Sequence, residues 1–240
     1  MTGASPWWGS IGHGLAVVAA AAAACVLLVF LIRRLFRVSA ELSRKLVHMS
    51  VIAALTAWLY GFDDWRAAVL VMAVFVIVVY PILLILEKQT VFRFLDRLVS
   101  ERHAGEIRMS LCAVGFMFML VTAVCWGYFG DRTLALASIY AWGPGDAAAA
   151  LIGTRFGKTK IGREKKKSLE GTLAMFTLSF LCVFVILLAG DSLPPLPALA
   201  AALLTAAVSA QVELEERRGL DTLFCPMAAM TILCVMRLLF

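Results

Sequence analysis

"GDAAAALIGTRFGKTKIGREKKKSLEG", residues 145–171, admits two readings, and the choice between them decides the fold. Gly153-Thr-Arg-Phe-Gly157-Lys158-Thr is close to a phosphate-binding loop of the kind that follows a strand and opens a helix in a soluble α/β domain. That loop needs four residues between its glycines; here there are three, and the run before it is apolar and helical in pattern. The stretch is therefore a basic, glycine-punctuated connection between two apolar segments.

The composition supports this. Apolar residues make up 62% of the 240 and charged residues only 16%, with mean hydropathy +0.91, far from the roughly 45–50% and 25% of soluble domains. Eight apolar runs reach or approach the roughly 17–25 residues that cross a bilayer: 14–32, 46–62, 67–86, 109–129, 133–152, 172–189, 196–212 and 223–240. The runs are continuous rather than alternating, which indicates helices and not a barrel. The expected fold is an all-α, polytopic membrane bundle of about eight transmembrane helices, forming one membrane-embedded domain over residues 1–240 with a cytoplasmic Gly/Lys-rich loop at 153–171.

Charge orients the bundle. Nineteen of the 22 Lys and Arg fall in the loops after runs one, three, five and seven, leaving Arg66, Arg132 and Arg237 on the other side. The positive-inside rule then places both termini outside and the basic loops in the cytoplasm. This one-sided charge suits anionic head groups or phosphorylated ligands, and with no separate basic domain nucleic acid is excluded as a partner. Basic Arg33-Arg34 follow the first apolar run rather than precede it, so a retained helix is expected and not a cleaved signal. The six cysteines lie inside apolar runs at no metal-ligand spacing and read as packing residues. Residues 90–102 carry an apolar stripe (Val91, Phe92, Leu95, Leu98, Val99) expected to lie as an interfacial helix. Small-residue faces can pack within or between chains, which allows an oligomer.

Charges inside or at the edge of spans are functional candidates, because each costs at least ~2.5–3.5 kcal/mol at the bilayer centre. Glu41, Lys45 and His48 share a helix face at i, i+4 and i+7, with Arg44 flanking it. Asp146 follows Gly143-Pro144-Gly145, the mark of a broken helix. Its carboxylate could pair with Lys45 or hold a divalent metal. In the loop, Gly153, Gly157 and Gly171 let backbone amides approach phosphate oxygens, and the lysines neutralise them, a clamp for a polyphosphate and its metal. Glu213 and Asp221, in "VELEERRGLDTLFCP", read by themselves as solvated loop charges.

Together, "ELSRKLVH", "GDAAAALIGTRFGKTKIGREKKKSLEGTLA" and "VELEERRGLDTLFCP" resemble the polyprenol and lipid-alcohol kinase family, which includes dolichol kinase, phytol kinase and the CTP-dependent diacylglycerol kinase and is related to phosphatidate cytidylyltransferases. The resemblance implies an integral membrane kinase using CTP, or another nucleoside triphosphate, with Mg²⁺ or another divalent cation, on a membrane lipid alcohol. The expected place is the inner or plasma membrane of a bacterium, with the active site facing the cytoplasm. Arg44 and Lys45 match the family's Arg-Lys pair, Asp146 its essential acid, Gly153 its following glycine, and Lys167, Ser168, Glu170 and Gly171 its Lys-Ser-x-Glu-Gly stretch. Thr222 departs from the asparagine usual there. On this reading Asp146 holds the metal, with Glu213 or Asp221 as further ligands. Lys158, Arg163 and Lys167 cradle phosphates, Arg44 and Lys45 neutralise the transferring group, and His48 or a carboxylate accepts the alcohol proton. Two rival readings are a cytidylyltransferase attacking the α-phosphate and an ion-coupled transporter using Asp146 and His48.

Overall fold

The computed structural model describes residues 9, 11–36, 38–86, 106–162, 167–215 and 220–240. The expected interfacial helix at 90–102, and Arg163 of the loop, lie outside the described residues. The chain divides into two compact units between Ala123 and Val124.

The first unit is built of α1 (Ile11–Leu35), α2 (Ala40–Gly61), α3 (Trp65–Leu86) and α4 (Glu106–Val121), which runs on into a π-helical stretch, Thr122–Tyr128. α1 and α3 leave large apolar side chains exposed, among them Leu27, Phe30, Ile77 and Ile85, as helices surrounded by lipid do. α2 begins at Ser39, whose hydroxyl accepts the Leu42 N–H at 3.2 Å, a standard N-cap. Its far end meets α1 closely: the Phe62 ring occupies the space a side chain at Gly14 would need. Trp58 gathers Phe62, Phe75 and Phe118 around its ring and donates its Nε1 hydrogen to the Ala68 carbonyl at 3.1 Å, so a buried indole keeps its polar atom satisfied.

The second unit contains the remainder of the π-helical stretch, α5 (Arg132–Tyr140), α6 (Gly143–Phe156), a two-stranded hairpin of β1 (Lys160–Ile161) and β2 (Lys167–Ser168), α7 (Leu169–Ala189), α8 (Pro195–Glu215) and α9 (Asp221–Leu239). α7 packs against α5, α6 and α8, and α9 against α5 and α8. Buried Ala137, Ala149, Ala198, Ala202, Ala206 and Ala229 let these backbones approach, the packing mode expected where lipid supplies no hydrophobic drive. Asp131 caps α5, accepting from Thr133 and Leu134 N–H at 2.8 and 3.3 Å.

Six helices among the described residues are long and apolar enough to cross a membrane: Ile11–Leu35, Trp65–Ile85, Arg108–Tyr128, Leu169–Ala189, Pro195–Glu215 and Asp221–Leu239. The protein is thus an all-α polytopic membrane bundle. These six coincide with expected runs one, three, four, six, seven and eight. Run two lies on α2, whose charged first turns lower its hydropathy. Run five is two helices, α5 and α6, divided at Ala141 and Trp142, where the Gly-Pro-Gly sequence forecasts a break.

Gly12 and Gly14 provide an internal test of the α1–α2 contact. A Cβ at Gly12 meets nothing within 4 Å, whereas one at Gly14 falls 2.5 Å from the Phe62 ring. Gly14→Ala should lower stability by about 1–3 kcal/mol through overpacking, and Gly12→Ala should not lower it, as read by thermal unfolding of the purified protein in detergent. Equal behaviour of the two variants would contradict the contact.

Candidate active site

The break between α5 and α6 sets the site. Pro144, in the first turn of α6, has no N–H to leave unsatisfied and holds the φ a helix start requires. The Ala141 carbonyl, freed by the break, is met by Ser179 Oγ of α7 at 2.6 Å, and Ser179 and Met175 fill the space where a side chain at Gly145 would stand. Asp146 thereby sits in the first turn of a new helix, where the helix dipole favours a carboxylate.

Two more carboxylates share its surroundings. Glu213, near the end of α8, is only 8% exposed, and Asp221 lies in the first turn of α9. Asp146 and Asp221 both act electrostatically on Glu213. Trp142 Nε1, from the break, donates to Asp221 Oδ2 at 3.3 Å. Lys167 of β2 brings its ammonium to Glu213 Oε1 at 2.6 Å and also donates to the Glu213 backbone carbonyl. Three carboxylates and one ammonium thus share this part of the second unit.

Their oxygens are the hard donors that Mg²⁺ prefers. Among the described residues no three His, Cys, Asp or Glu side chains converge into a ready metal cage. Mg²⁺ characteristically uses one or two carboxylates and takes its remaining ligands from phosphates and water, so the donor set fits a cation that arrives with a polyphosphate.

Of the 153–171 segment, the described residues 153–162 and 167–171 are mostly in regular structure. α6 continues to Phe156 and α7 starts at Leu169, so a short hairpin carries the turn between them, Lys160 pairing with Ser168 and Ile161 with Lys167. Gly162, at φ +78°, takes the left-handed conformation that turns the chain after β1. The other glycines are crowded by protein atoms. A Cβ on Gly157 would strike the Gly153 carbonyl and the Ser168 side chain, and one on Gly171 would lie 2.8 Å from the Ala149 carbonyl. Ser168 caps α7, accepting the Gly171 N–H at 3.2 Å. Glu170 accepts the backbone N–H groups of Lys158 and Thr159, each at 3.1 Å, tying the start of the hairpin to α7. The Lys158 side chain is exposed.

In the first unit, α2 carries Arg44, Lys45 and His48 in its opening turns. Arg44 Nη2 pairs with Glu41 Oε1 at 2.7 Å, Lys45 is 3% exposed and His48 is half-buried. The second unit brings Asp146, Glu213, Asp221 and Lys167 together. Trp142 and Ser179 are absent from the sequence reading. Trp142 has a sequence signal, an indole donor directly preceding the broken helix; Ser179 has none beyond a polar residue in an apolar run.

Glu170→Ala should free the amides of Lys158 and Thr159, so that trypsin cuts after Lys158 and Lys160 several-fold faster while the helical content of the membrane-inserted protein is unchanged. An unaltered cleavage rate would argue against Glu170 as the tie.

Over 80 residues the sequence is 34% identical to the chloroplastic farnesol kinase of Arabidopsis thaliana, a stretch that covers 33% of this chain and 26% of that relative. The chain thus spans about a quarter of that relative's length. No protein-family profile matches the chain, and no solved structure does so.

Proposed function

We propose that this protein is a membrane kinase that transfers the γ-phosphoryl group of CTP, or another nucleoside triphosphate, to the hydroxyl of a lipid alcohol such as a prenol, phytol, a polyprenol or diacylglycerol. The observation that carries the reading is the pairing of Glu213 with Lys167 of the hairpin, with Asp146 and Asp221 acting electrostatically on the same Glu213, in a unit three of whose helices are long and apolar enough to span a membrane. The partial likeness to a farnesol kinase supports it.

Phosphoryl transfer asks a protein mainly to position reactants and to stabilise charge. Asp146, with Glu213 or Asp221, would hold a divalent cation. When bound, that cation screens the charge of the phosphates. Lys167 would exchange its Glu213 contact for a phosphate oxygen, exposed Lys158 would add a second cation, and Arg163 is assigned to the phosphates from the sequence. Gly153, Gly157, Ser168, Glu170 and Gly171 hold the hairpin that presents these cations. The acceptor hydroxyl oxygen forms the new bond to the γ-phosphorus, the bond to the β-bridging oxygen breaks, and the nucleoside diphosphate leaves with that oxygen. The hydroxyl proton passes to His48 or to a carboxylate. Arg44 and Lys45 are assigned to the transferring group on the family resemblance alone.

Two experiments test this. With CTP labelled separately at the α and γ phosphates, Mg²⁺ and a panel of phytol, geranylgeraniol, polyprenol, diacylglycerol and phosphatidate, label from the γ position should enter an alcohol. Label from the α position in phosphatidate would instead make the protein a cytidylyltransferase. Asp146→Asn should reduce transfer by about 10²–10³-fold, the scale seen when one preorganised charge-stabilising group is lost, with the helical fold retained. Substantial transfer by that variant would remove Asp146 from the site.

A further inference from the structure

The fourth apolar run ends irregularly. Over Thr122–Tyr128 the helix widens to π geometry, a form frequent at functional sites. Its exit is pinned by the backbone: the Phe129 N–H donates to the Val124 carbonyl at 3.1 Å and the Asp131 N–H to the Cys125 carbonyl at 2.9 Å. Gly130, between them, takes φ +70°, and the Asp131 carboxylate then caps α5. Cys125, which belongs to the second unit, is thereby held against the start of α5.

α9 packs on α5 and brings Cys234 to the same place. Cys125 is fully buried and Cys234 is 9% exposed, and their thiols are hydrogen-bonded to each other. The side chain of Ser138, buried on α5, also reaches Cys125. Three elements therefore meet at two sulfurs. A buried thiol that gives its hydrogen to a carbonyl is a packing residue, as Cys225 is, donating to the Ser209 carbonyl at 3.5 Å. Cys125 and Cys234 instead approach sulfur to sulfur, the arrangement from which a disulfide closes.

We infer that Cys125 and Cys234 form a dithiol modification site, closed to an intrachain disulfide by a lipid-soluble two-electron oxidant of the quinone class. The oxidant is lipid-soluble because both cysteines lie in stretches long and apolar enough to cross a membrane, Arg108–Tyr128 and Asp221–Leu239. Two S–H bonds break and one S–S bond forms, and the two electrons and two protons released convert the quinone to its hydroquinone. The new bond ties the π-helical stretch to α9 and closes a covalent ring through α5, α6, α7 and α8, restraining the unfolded chain across most of the second unit. The inference is independent of the kinase reading, since none of the carboxylates or cations of the candidate site takes part.

The test uses the full chain in phosphatidylcholine nanodiscs with decylubiquinone as the oxidant. Denatured and alkylated with a high-mass maleimide, the protein should show all six thiols before oxidation and two fewer after it, with dithiothreitol restoring the full number. Peptide mapping should find Cys125 joined to Cys234 within one chain. Cys234→Ala should lose no thiol on oxidation, and Cys112→Ser should still lose two. The oxidised protein should melt several degrees above its reduced form, a gain that Cys234→Ala does not show. If Cys234→Ala does not fold, the thiol count, peptide map and melting shift of the unaltered protein carry the test. An unchanged thiol count, a link between other cysteines or between chains, or a disulfide that leaves the melting temperature unmoved overturns the inference.

Discussion

The second unit turns on the ion pair between Lys167 and Glu213. Glu213 is buried near the end of a helix apolar enough to span a membrane, where a lone carboxylate would pay heavily for lost hydration. Its counter-charge comes from a residue 46 positions away, and the short hairpin exists in the form that delivers it. Lys167 ends the reach, Ser168 next to it caps α7, and Glu170 ties the first strand's entry back to the same helix. Four consecutive residues thus fix a charge, start a helix and anchor a turn.

The pair brings an ammonium to one acid, and Asp146 and Asp221 act on that same acid. A nucleoside triphosphate with its cation offers the complementary pattern, positive toward the acids and negative toward the basic hairpin. The helix break at Ala141 and Trp142 serves this arrangement twice. It starts a new helix under Asp146, and it supplies the indole that holds Asp221. The Ser179 hydroxyl keeps the broken backbone satisfied, which is why an irregular turn survives inside a tightly packed unit.

Much of the architecture is legible in the sequence because long apolar runs have few alternatives. The break is legible too, since Gly143-Pro144-Gly145 cannot pass as regular helix. The Lys167–Glu213 contact is not, because local periodicity carries no record of a partner 46 residues away, and Glu213 taken alone looks like an ordinary charge at a span boundary. The glycines are ambiguous for a different reason. A missing side chain is needed equally where backbone meets phosphate and where helix meets helix, and at Gly153, Gly157 and Gly171 the atoms nearest the empty position belong to the protein. Trp142 and Ser179 act through single hydrogen bonds to atoms far along the chain, contacts that composition and spacing do not encode.

The seam formed by those three glycines has a mechanical consequence. Side chains at an interface act as compliant spacers, able to change rotamer as two helices slide. Where α6 meets the start of α7 the backbones of Gly153 and Gly171 come close, with only the short Ser168 side chain between them, so there is little there that can yield as the two helices slide. The carboxylate on α6 is therefore carried by the same stiff seam that carries the start of α7, and its position relative to Lys167 and Ser168 is set by backbone rather than by rotamer.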